Sequence, residues 1–135
     1  MKRVLAIALS AQCLASLPAA AHHSLAPYIR TRADSVIGTV KEFAWTNPHT
    51  WLTVLVRDER GETAEWTFEG VATSRLATAG FKKDSVVPGD TISVAFNPRR
   101  DGKPGGMFVA VTFADGTTLK LTRYQTFQGG GQRIE

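Results

Sequence analysis

Residues 63–81, TAEWTFEGVATSRLATAGF, change period midway, and that change decides the fold. Thr63–Glu69 alternates Ala64, Trp66 and Phe68 against Glu65, Thr67 and Glu69, the pattern of a strand with one buried face. From Val71 onward the apolar positions Val71, Leu76 and Ala79 recur near helical spacing, Ser74 and Arg75 can face water, and Gly80 stands where a helix C-cap belongs. The stretch predicts a strand followed by one short helix.

Upstream, Ser35–Trp45 (SVIGTVKEFAW) is rich in branched and aromatic residues, with Gly38 inside it as a bulge or sharp bend. Thr46-Asn47-Pro48 breaks this strand, because proline donates nothing to a ladder and Asn favours turns. His49–Val56 resumes it with Leu52, Val54 and Val56 on one face, and the charged turn at 57–61 leads into Thr63–Glu69, completing a three-stranded meander. Downstream, Pro88-Gly89-Asp90 turns into Thr91–Phe96, where Ile92, Val94 and Phe96 alternate inward. Asn97–Gly106 (NPRRDGKPGG) reads as a long flexible hairpin loop, Met107–Phe113 points Met107, Val109, Val111 and Phe113 inward, and Thr118–Leu121 adds a last short strand.

Three strands, a helix and two strands form the plan of an OB-fold: a mainly β, five-stranded Greek-key barrel with one short helix between strands 3 and 4. An immunoglobulin-like sandwich needs about seven strands and no such helix. The barrel domain is expected over residues 35–121, after an extended lead-in at 22–34 and before a flexible tail at 122–135. A chain of 135 residues leaves no room for a second independent core.

Residues 1–21, MKRVLAIALSAQCLASLPAAA, read as a Sec-type signal peptide: a basic start, an apolar run from Val4 to Leu17, then small residues. Ala19 and Ala21 supply the −3 and −1 positions, so cleavage is expected after Ala21 and the product begins at His22. The run is shorter than the roughly 18 residues of a membrane span, so no membrane anchor is expected after processing. Cys13, the only cysteine, leaves with the leader, and Gln12 before it does not suit a lipoprotein site. The expected location is periplasmic or secreted. Sixteen Lys and Arg face 12 Asp and Glu, and Lys2 and Arg3 belong to the leader, so the remainder is too nearly neutral to point to nucleic acid.

The chemistry-bearing residues are few. No Gly-x-Ser-x-Gly elbow, paired-cysteine knuckle or phosphate-cradling glycine loop is present. Glu65 and Glu69 share a strand face about 13 Å apart, too far for the carboxylate pair of a glycosidase. That face reads as solvated, and a non-catalytic binding module is expected. Its ligand site is expected at Asn47, His49, Trp51 and Trp45, because Trp45 and Trp51 flank the Asn47-Pro48-His49 break and are the tryptophans more suited to exposure than Trp66. On an OB-fold such aromatic faces stack single strands or sugars, although most aromatic residues of small β domains fill the core. The partner is expected to be a small ligand or an envelope protein.

A second expectation is a copper(II) site. A processed His22 offers its α-amine and Nδ1 to one ion, His49 can add a third nitrogen with His23 as a further donor, and Cu(II) favours tetragonal nitrogen sets. His22 and His23 alone offer another arrangement, through the amine, the intervening amide and the second imidazole. Against this, two histidines beside a processing site can be plain solvent-exposed residues, and His49 can simply hydrogen-bond in its turn.

Ala21-His22-His23-Ser24 after a leader, Trp45-Thr46-Asn47-Pro48-His49 followed by Trp51-Leu52, Trp66-Thr67-Phe68-Glu69-Gly70, and Lys83-Asp84 ahead of Pro88-Gly89-Asp90 together resemble a family of small exported bacterial proteins of unknown function. The resemblance spans nearly all of the chain after the leader. It implies a secreted single-domain β protein and no particular reaction. His22, His23, Asn47, Pro48, His49, Trp51, Trp66 and Glu69 match its recurring motifs, whereas Leu25 stands where relatives often carry an aromatic residue.

Overall fold

The computed structural model describes residues 26–121. The leader, His22, His23 and the tail at 122–135 lie outside the described residues. In chain order the elements are β1 (Asp34–Ala44), β2 (Trp51–Arg57), β3 (Thr63–Glu69), α1 (Thr73–Thr78), β4 (Thr91–Pro98), β5 (Gly105–Phe113) and β6 (Thr118–Lys120). The first three strands form the expected meander. β1 is long enough to pair with β4 through its first half and with β2 through its second, the register slipping between Val40 and Glu42.

β3 and β5 close the sheet in parallel, pairing Thr67 with Gly105, Phe68 with Gly106 and Glu69 with Met107. The ring runs β1-β2-β3-β5-β4 and back to β1, with β6 added to the far half of β5. This is a closed five-stranded barrel of OB type, with its helix between β3 and β4. The helix is shorter than the 71–81 period suggests, but its end is as expected. The amide of Gly80, at φ +90°, donates to the Ala77 carbonyl, and the amide of Phe81 donates to Leu76. These two bonds make a Schellman end, and Leu76 and Phe81 are both buried beside it.

Residues 97–106 correct the expectation of a long loop. Asn97 and Pro98 complete β4, Gly105 and Gly106 begin β5, and only the span 99–104 connects them. The glycines that suggested flexibility are needed for closure. A Cβ on Gly105 would sit 2.0 Å from the Thr67 carbonyl oxygen, and one on Gly106 would sit 2.2 Å from that of Asn97.

The inward set of β5 also differs. Phe96 pairs with Phe108 and Ala95 with Ala110, so Val109 is an extra residue that reverses the alternation. Phe108 and Val111 are fully buried inside the barrel, while Val109 and Phe113 are half-buried. Met107 and its partner Asn97 face the other way, yet both are buried. The lead-in accounts for this. The Asn97 side-chain amide donates to the Arg32 carbonyl at 2.8 Å, Ile29 N donates to Pro98 O at 2.8 Å, and Arg100 N donates to Pro27 O at 2.8 Å. Tyr28, 4% exposed, belongs to the same apolar cluster as Met107.

Gly105, at φ +117°, combines an unfavourable backbone region with no room for a side chain. Gly105→Ala is expected to cost about 3 kcal/mol or more in urea unfolding, since strain and overpacking each contribute on the order of 1–3 kcal/mol. A loss under about 1 kcal/mol would contradict the closure described here.

Candidate functional site

The break between β1 and β2 is held from both sides. The Asn47 side-chain oxygen accepts from the amide and the hydroxyl of Thr73, each at 3.1 Å, and so caps α1 in place of Ala72, which cannot. The Asn47–Pro48 peptide is cis. Thr46 Oγ1 donates to the His49 carbonyl at 2.7 Å. Thr50, fully buried, donates to the Val71 carbonyl from its amide at 3.2 Å and its hydroxyl at 3.0 Å, and accepts from Gly70 N at 2.8 Å. Gly70 must lack a side chain, because a Cβ there would meet Thr50 Oγ1 at 2.3 Å and the Phe108 ring at 2.4 Å. His49 is thereby fixed next to the end of β3.

There it meets Glu69. His49 Nδ1 is paired with Glu69 Oε1, and the Tyr28 hydroxyl donates to Glu69 Oε2. A carboxylate that already accepts a phenol proton is an acceptor for Nδ1 as well, so the proton of a neutral His49 belongs on Nδ1. Burial, the hydrogen bond to Glu69 and the charge of that carboxylate push the Tyr28 phenol well above its ordinary 10.0, and Arg99 acts in the opposite sense. Among the described residues no buried side-chain nitrogen or oxygen lacks a partner.

Trp51 completes the patch. It pairs with Glu69 across β2 and β3, shares the outer face of the sheet with it, and is 40% exposed. Trp45 is half-buried and packs edge-on against Phe43, with ring centres 5.8 Å apart. Trp66 is half-buried against Phe68 and Phe96 within the barrel. Of the four residues expected to carry the ligand, His49 and Trp51 stand together, Asn47 spends its oxygen on the helix, and Trp45 leans on the core. The expectation of a purely solvated Glu65–Glu69 face is half right: Glu65 pairs with Lys41 at the surface, whereas Glu69 joins the site. Tyr28 was not anticipated. The signal for it is a lone aromatic residue, next to Ile29, in a lead-in without a sustained apolar period.

Tyr28→Phe is expected to destabilise the protein by about 1.5 kcal/mol, the usual scale for a hydrogen bond to a charged group. The pH dependence has a definite sign. Below pH 10 the phenol is protonated in both states and its contribution is complete. Above it the unfolded chain loses the proton first, so stability falls by up to about 1.4 kcal/mol per pH unit. The stability difference between wild type and Tyr28→Phe, measured by urea unfolding, should be flat from neutral pH to about pH 10 and shrink beyond it; a flat profile to higher pH would contradict the buried phenol.

No curated protein and no solved structure matches the chain. A model of a family of unknown function, DUF6152, matches residues 11–109, a span holding the lead-in, the break before β2, all of β3 and the 99–104 connection. The match takes in Tyr28, His49, Trp51 and Glu69. The chain belongs to this family of unknown function, DUF6152.

Proposed function

We propose that this protein is an exported, non-catalytic binding module whose ligand site is the outer patch of His49, Trp51 and Glu69. The observation that carries the reading is the juxtaposition of an exposed indole with a histidine already held by a carboxylate. The indole offers a flat apolar face, and the polar pair offers directional hydrogen bonding beside it. The Glu69 charge disfavours phosphate, so a sugar ring suits the patch better than a nucleotide. Among the described residues nothing at the patch serves as an activated nucleophile, and Glu65, the other carboxylate on this strand face, is tied to Lys41.

Titration of intrinsic fluorescence with a panel of soluble cell-envelope oligosaccharides tests this. Saturable binding that weakens at least tenfold, about 1.4 kcal/mol, in Trp51→Ala is expected. Hydrolysis of any of them that disappears in His49→Ala would overturn the non-catalytic reading.

One observation favours copper(II) as a second reading. A metal-bound histidine commonly donates its other ring N–H to a carboxylate, which is what His49 Nδ1 does with Glu69, so a metal bond would form through Nε2. Tyr28, on the same carboxylate, tethers the lead-in beside His49. His22 precedes Ala26, which Arg100 holds, by four residues, about 14 Å of extended chain at most, and that is the length available for a chain cut after Ala21 to reach His49. Among the described residues no three potential ligands gather on their own, so this site needs His22, with or without His23. Protein with an authentic His22 terminus is expected to take up one Cu(II) with a tetragonal nitrogen signature in electron paramagnetic resonance. The signal should change in His49→Ala; no uptake by wild type would end this reading.

A further inference from the structure

A second depression opens on the other side of the lead-in, between β3, the end of β4 and the 99–104 connection. It encloses about 270 Å³ and is lined by Trp66 and Phe96 with Arg32, Asp34, Arg99 and Lys103 around them. Its walls are already built. The connection is pinned to the lead-in by Arg100, which donates from its backbone amide to Pro27 O and from Nε to Ala26 O, each at 2.8 Å. Gly105 at its foot is locked against Thr67 by barrel closure. The Trp66 ring stands edge-on to Phe96, with ring centres 5.9 Å apart, so its orientation is fixed by the core. A ligand entering here meets a fixed aromatic wall and a fixed charged rim, which lowers the ordering cost of binding.

The charges select the ligand. Arg32 makes a two-pronged pair with Asp34, at 2.7 and 2.5 Å, and Arg99 makes another with Asp101, at 2.9 and 2.7 Å. Both arginines use Nε and Nη2 for these bonds. Lys103 forms no salt bridge among the described residues, so of the three cations at the rim it is the one that no carboxylate pairs with. One cation without a salt-bridge partner beside an indole fits a ring-bearing monoanion better than a doubly charged phosphate. The volume, just under the range of about 300–1,000 Å³ usual for drug-sized ligands, suits a single ring.

We propose that this depression binds a small aromatic monocarboxylate, its ring against Trp66 and its carboxylate between Lys103 and the outer edge of Arg99. It is separate from the patch at His49 and Trp51 and does not depend on a ligand there. The lead-in, through Tyr28 on one side and Ile29 and Arg32 on the other, forms part of both.

Benzoate is the probe, with benzyl alcohol as its neutral counterpart and inorganic phosphate as the ring-free anion. In amide and indole NMR spectra of the ¹⁵N-labelled protein, benzoate is expected to give saturable shifts at the Trp66 indole and the amides of 99–105. Benzyl alcohol and phosphate should give shifts at least fivefold weaker in affinity. Lys103→Met, on an exposed connection, should keep the wild-type spectrum and weaken benzoate about tenfold, the scale of one charge-assisted contact. No saturation up to about 10 mM benzoate would overturn the proposal. So would equal binding of benzyl alcohol, unchanged affinity in Lys103→Met, or shifts confined to His49 and Trp51. The last outcome would leave the outer patch standing and remove only this site.

Discussion

Glu69 holds the molecule together at two levels. Its backbone is the last pair of the parallel closure between β3 and β5, and its carboxylate joins Tyr28 of the lead-in to His49 of the β1–β2 break. Three segments far apart in the chain therefore meet at one side chain. A half-buried carboxylate is costly unless its oxygens are satisfied, and here a phenol and an imidazole satisfy one each. The neighbouring residues repeat the arrangement. Gly70 gives way to Thr50 and Phe108, and Thr50 ties the break to Val71, so the position of His49 follows from packing on both sides of Glu69.

Much of the barrel was legible because its strands obey a simple alternation. Leu52, Val54, Phe68, Ile92, Val94 and Phe96 are buried as their spacing demands, and the switch to helical spacing after Glu69 separates this topology from a sandwich. What could not be read depends on contacts without a period. The stretch 97–106 looks like a loop because closure uses backbone against backbone at Gly105 and Gly106, and glycine carries no apolar signal. Phe108 is hidden from an alternation count because Val109 bulges beside it. Tyr28 and Glu69 are 41 residues apart, and nothing local in either segment specifies their meeting. The break before β2 was legible from Asn47-Pro48, but the task of Asn47 as a remote helix cap was not.

The lead-in changes the view of where function can reside. Read as a free extension it would contribute only its histidines. Docked against Asn97, Pro98 and Arg100, it instead walls two separate surfaces of the barrel. On one side lie His49, Trp51 and Glu69, with a negative charge and an exposed indole. On the other lie Trp66, Arg32, Asp34, Arg99 and Lys103, with one cation outside any salt bridge and a fixed indole. On our reading one small barrel thus offers two chemically distinct surfaces.

The shared carboxylate leaves a direct signature on His49. At a pH where its imidazole is neutral, long-range ¹H–¹⁵N correlation spectra should report the proton on Nδ1 and no directly bonded proton on Nε2. The opposite tautomer, with the proton on Nε2, would mean that Glu69 does not hold this ring, and the junction of lead-in, break and barrel described here would be wrong.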